Sequence, residues 1–70
     1  MSTTREELLR VLAVLSEGKP ELRLGQLVTN LATLARGAQV EAIWDCEDEE
    51  FLAAAKRLVE REEARKATPA

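Results

Sequence analysis

The chain has 70 residues, a net charge of −3, 46% hydrophobic residues, one cysteine and no histidine. This length allows one domain, the apolar content argues against disorder, and the lone Cys46 without histidine excludes an internal disulfide and a structural zinc site. Because a core of this size supplies only roughly 3–5 kcal/mol, self-association or a partner is the support that remains.

The first predicted helix spans about Arg5 to Ser16. Thr4 and Glu7 have the spacing of a capping box at its start. Gly18, in a left-handed conformation, and then Pro20 are expected to end it. The apolar stripe of this helix follows helical spacing and consists of Leu8, Val11, Leu12 and Leu15, widened by Leu9 and Val14.

The second predicted helix begins between Pro20 and Leu24 and ends at about Arg36, before Gly37. No charged residue lies between Arg23 and Arg36, although a third of the chain is charged. Such a segment is expected to be covered on more than one side, by this chain or by a second chain. Its leucines form one face, and its other edge is small and neutral. The partner interface predicted from this edge and from the sole tryptophan consists of Gly25, Gln26, Thr29, Asn30, Thr33 and Trp44.

A connector at residues 38–42 precedes the third predicted helix, which begins between Asp45 and Asp48. Acidic residues crowd its start, where the helix dipole favours them. A short extended segment at Ile43–Trp44 is an alternative to plain loop, because these side chains have β propensity. Trp44 either fills the core or anchors an interface. The apolar stripe of the third helix consists of Phe51, Leu52, Ala55, Leu58 and Val59.

These elements predict an all-α fold. Residues 1–66 form a single three-helix domain in which the uncharged second helix is central, and residues 67–70 form a frayed tail. The flanking helices each present one apolar stripe, so the second helix is expected to lie between them.

The run Arg23–Leu27 followed by Asn30, with Ile43–Trp44 and then Glu47–Phe51, resembles a group of small uncharacterised bacterial and phage proteins. Their pattern is Arg-Leu-Gly-Gln-Leu, an Asn, an aromatic segment and a Glu-Asp-Glu-Glu-Leu helix start. The chain departs from it at Asp45, where a second aromatic residue is usual, and at Phe51, where leucine is usual. The resemblance implies no activity. It implies that the third helix starts near Asp48 and that Ile43 to Cys46 are extended.

The residue inventory argues against an enzyme. There is no histidine or tyrosine to act as a base, and the acidic residues around Cys46 are expected to raise the pKa of its thiol. The acidic run lacks the alternating ligands and glycine turn of a calcium loop. We therefore expect no catalytic residue, no metal and no cofactor, and no small-molecule substrate.

The leading hypothesis is a non-enzymatic protein–protein interaction module, most simply a homodimer. One alternative is a small helix-turn-helix-like DNA-binding regulator, since Gln26 and Asn30 suit an adenine edge. The second helix lacks the basic residues that a helix in a DNA groove carries toward phosphates, so DNA binding is the weaker hypothesis. A second alternative is an acidic phage-type inhibitor that binds a host protein.

Charge appears before any apolar run at the N-terminus, so no signal peptide or membrane span is expected and a cytoplasmic location is predicted.

Overall fold

The computed structural model describes residues 3–67, and this part of the chain forms four helices and no strand. The all-α prediction is therefore confirmed. Of the predicted tail at residues 67–70, only Ala67 is described, and its backbone belongs to the last helix; residues 68–70 lie outside the described residues. The helices are α1 (Thr3–Gly18), α2 (Leu24–Arg36), α3 (Ala42–Asp45) and α4 (Asp48–Ala67).

Ion pairs show how the three long helices are arranged. Arg5 near the start of α1 contacts Asp48 at the start of α4, and Lys19 after α1 contacts Glu62 farther along α4. Helices α1 and α4 therefore run parallel. Arg36 at the end of α2 pairs with Glu50 in the first turn of α4, so α2 runs antiparallel to α4.

Helix α4, and not α2, packs against both other long helices. The predicted central position of the second helix is therefore wrong, since α2 packs against α4 and α3. The reason lies in the small side chains of α4. Ala54 and Ala55 are completely buried, and such small side chains leave room for neighbouring helices to pack closely on α4.

The buried side chains of all four helices form one apolar cluster. It includes Leu8 and Leu15 of α1, as the sequence predicted, whereas Leu9 and Val14 are more than half exposed and do not widen the buried stripe. No buried polar side-chain atom within the described residues lacks a hydrogen-bond partner. The cluster consists of Leu8, Leu15, Leu27, Leu31, Ala32, Ala42, Phe51, Leu52 and Ala55.

The start of α1 differs from the prediction. The helix already includes Thr3 and Thr4, so Thr4 is not its N-cap. The Glu7 carboxylate instead forms an ion pair with Lys56 Nζ at 2.8 Å, and this contact holds α1 against α4. Gly18 is the last residue of α1 and has no left-handed backbone, because the Lys19 N–H continues the helical bonding to the Leu15 carbonyl.

Helices α2 and α4 begin with the same type of hydrogen bond, from a backbone N–H to a side chain. The Arg23 N–H donates to Gln26 Oε1 at 2.8 Å, and the Glu47 N–H donates to Glu50 Oε1 at 3.0 Å. In each case the side chain three residues into the helix reaches back to the N-cap backbone, which is one half of a capping box. A third-position Gln or Glu therefore fixes both helix starts. Helix α4 begins at Asp48, which lies within the predicted range of Asp45 to Asp48 and is the start that the resemblance implied.

The alternative of an extended segment at Ile43–Trp44 is wrong, because both residues lie in α3. The Asp45 N–H donates to the Glu41 carbonyl, and the Cys46 N–H donates to the Ala42 carbonyl. A strand would need a partner strand for these groups, and residues 3–67 contain none. Of the segment that the family resemblance implied to be extended, only Cys46 has β backbone angles.

Candidate functional site

The five predicted interface residues of α2 lie on one exposed face of that helix. Residues 25, 29 and 33 are spaced by four, and residues 26 and 30 form the adjacent row, so helical geometry places them side by side. The opposite face of α2 buries Leu27, Leu31 and Ala32. This chain therefore covers α2 on one side only, and its neutral face is open to solvent.

One of these five residues, Gln26, has an identifiable role within the described part of the chain. Gln26 caps α2 from an exposed position, by accepting a hydrogen bond from the Arg23 N–H. A Cβ added at Gly25 would meet nothing within 4 Å, so no helix within residues 3–67 approaches α2 at that point. The small size of Gly25 therefore has no use in the packing of the described residues.

Trp44 lies on the surface, with 89% of its area exposed, so within the single chain it does not fill the core. Its neighbours Val40 and Ile43 are 91% and 47% exposed. Helix α3 buries only Ala42, because a single turn points one side inward. We call the surface formed by Val40, Ile43 and Trp44 the α3 patch.

The α3 patch lies in an acidic part of the chain. Residues 37–55 contain no lysine or arginine. Asp48 and Glu50 are neutralised by Arg5 and Arg36 from other helices. The remaining carboxylates of this segment are exposed and form no ion pair with any described residue. They are those of Glu41, Asp45, Glu47 and Glu49.

A second candidate surface lies between α2 and α4. It is a recess of about 270 Å³, whose floor is formed by the buried Leu27 and Leu31. We call it the α2/α4 groove. Its walls are Leu22, Leu34 and Leu58, and its rim carries Lys19, Asn30 and Arg61.

The rim of the α2/α4 groove is basic. Arg61 is exposed and has no carboxylate partner among the described residues, whereas Lys19 contacts Glu62 Oε2 at 3.3 Å. One turn earlier on α4, Arg57 Nη2 donates to the Leu34 carbonyl at 3.5 Å. The sequence analysis did not identify this groove. The available signal was the spacing of Arg57 and Arg61, which places both on one face of the helix beside Leu58.

Cys46 is a partly buried free thiol beside the α3 patch. Burial raises its pKa above the ordinary value, and the Glu50 and Asp48 carboxylates add to this effect while Arg36 opposes it. The predicted direction is confirmed, although burial is the largest cause. Among the described residues, no three acidic, cysteine or histidine side chains are grouped as metal ligands would be.

No helix within residues 3–67 is both long enough and apolar enough to cross a bilayer. Comparison of the chain with protein-family models, with curated proteins and with solved structures gives no match.

Proposed function

We propose that this chain is a non-enzymatic protein–protein interaction module that associates with itself. The exposure of Trp44 carries the proposal. Burying an aromatic side chain of this kind removes roughly 150–250 Å² from water, which corresponds to about 4–6 kcal/mol as an upper bound. Trp is also the residue type most enriched at binding hot spots.

The neutral face of α2 also supports association. Its exposed residues, from Gly25 to Thr33, are uncharged over about two helical turns, and Gly25 leaves room for a close approach that no helix of the described residues uses. A domain of this size gains little from its own core, so a second chain is an effective source of further stability. Because Cys46 is a free thiol, we place the association in a reducing compartment, the cytoplasm.

The DNA-binding alternative has less support. Arg36, at one end of α2, is held by both carboxylate oxygens of Glu50, at 2.8 and 2.9 Å. The carboxamide oxygen of Gln26 is engaged in the helix cap. Two side chains that would contact DNA thus already have partners within the chain.

Sedimentation velocity over a range of protein concentrations tests the proposal. We expect the mass to rise above the 7.8 kDa of one chain at micromolar concentration. Trp44→Ala should shift association to higher concentration. Leu9→Ala is the control, because it also removes an exposed apolar side chain, on α1. A wild-type mass of one chain at every concentration would exclude self-association.

A further inference from the structure

We infer that self-association joins two different surfaces: the α3 patch of one copy docks into the α2/α4 groove of a second copy. This inference rests on the proposed function and names the two surfaces that meet. Both surfaces combine apolar side chains with charged ones, and the charges on the two surfaces are of opposite sign.

Charge excludes the simplest alternative, in which two α3 patches meet face to face. That contact would bring the exposed Glu41, Asp45 and Glu47 of each copy near the same groups of the other. Like charges opposed at an interface are destabilising, and they also slow the encounter of the two chains. The acidic patch therefore requires a surface that is not acidic.

The α2/α4 groove meets this requirement. Arg61 on its rim has no ion-pair partner among residues 3–67, and Arg57 lies one turn away on the same face. Lys19 also lies on the rim, but its charge is already paired with Glu62. Docking the α3 patch there would place its free carboxylates beside these cations, and the interaction would weaken with added salt.

The size and lining of the groove suit an indole. A cavity of about 150 Å³ lined by aliphatic side chains accommodates benzene, and this recess measures about 270 Å³ with leucine walls. A buried tryptophan also needs an acceptor for its ring N–H. The carboxamide of Asn30 on the rim offers one. Asn30 thus links the groove to the interface that the sequence predicted.

A mixing experiment tests the inference. Trp44→Ala removes the patch but keeps the groove, and Arg61→Glu reverses the groove charge but keeps the patch. Each variant alone should associate at least tenfold more weakly than the wild type. Their mixture should associate more tightly than either alone, because the intact patch of one variant meets the intact groove of the other.

Arg10→Glu is the matched control, since it is the same substitution at another exposed site, on α1. It should leave the dissociation constant within about threefold of the wild type, and circular dichroism should show all variants folded. If the wild type associates but the mixture is no tighter than its components, the docking inference is wrong and self-association stands. If the wild type never associates, both are wrong.

Discussion

Gly37 has a backbone conformation that other residues avoid. Its φ of +95° and ψ of 170° lie in a region occupied almost only by glycine, and its N–H donates to the Thr33 carbonyl at 2.7 Å to end α2. Gly37→Ala should lower the free energy of unfolding by about 1–3 kcal/mol. An added Cβ would meet no atom within 4 Å, so the cost is one of backbone strain.

Gly25→Ala is the control for that substitution. Gly25 is helical and also has open space around its Cα, so alanine should raise the free energy of unfolding by about 0.5–1 kcal/mol. Urea unfolding at low protein concentration measures both variants. If the two substitutions shift stability in the same direction, the backbone of Gly37 does not determine the end of α2.

The raised pKa of Cys46 predicts an unreactive thiol. Burial and the Glu50 carboxylate both disfavour the thiolate, which is the reactive form. In the folded protein, Cys46 should react with a disulfide reagent at mildly alkaline pH more slowly than a short peptide of residues 43–49. Urea should remove the difference. A folded protein that reacts as fast as the peptide would contradict the assigned environment.

At the scale of one helix, α2 contains two leucines whose side chains differ greatly in burial. Leu31 is completely buried and Leu24 is 61% exposed. Leu31→Ala should cost about 2–5 kcal/mol, a large share of the stability of so small a domain. Leu24→Ala should change stability by less than about 0.5 kcal/mol. Thermal unfolding at low protein concentration compares them, and equal losses would contradict the assigned buried face of α2.

The existence of the three long helices could be predicted from local sequence because their apolar spacing is regular. The glycine end of α2 also follows from a short-range rule. The acidic run placed the start of α4 only between Asp45 and Asp48, and the family resemblance favoured Asp48, where the helix begins. The turn at α3 could not be predicted this way, since Ile43 and Trp44 have strand propensity. Hydrogen bonding within residues 39–46 overrides that propensity where no partner strand exists.

The arrangement of the whole molecule was less predictable than its helices. The lack of charge in the second helix and the single apolar stripe of each flanking helix suggested that α2 is central, but α4, whose Ala54 and Ala55 are fully buried, packs against both other long helices. The candidate surfaces show the same limit. The neutral face of α2 could be predicted because its residues follow one helix, whereas the α2/α4 groove combines residues from distant positions, such as Leu22 and Leu58.

Two carboxylates that hold α4 to the other long helices make the stability of the whole molecule depend on pH. The Lys56 ammonium, by hydrogen bond and charge, lowers the pKa of Glu7. The hydrogen bond from the Glu47 N–H, and then Arg36, lower the pKa of Glu50. A lowered pKa in the folded state means that the unfolded chain binds more protons in acid, so this stabilisation is present above about pH 4.3 and is lost as the pH falls below it.

The double variant Glu7→Gln/Glu50→Gln should isolate this contribution. Glutamine at position 50 keeps an acceptor for the Glu47 N–H, as Gln26 does for Arg23, but it neither titrates nor pairs with Arg36. The variant should be less stable than the wild type at neutral pH, and the two stabilities should become similar at about pH 3. Urea midpoints at both pH values measure this. An unchanged gap between the two proteins would mean that these ion pairs do not join α1 and α2 to α4 in solution.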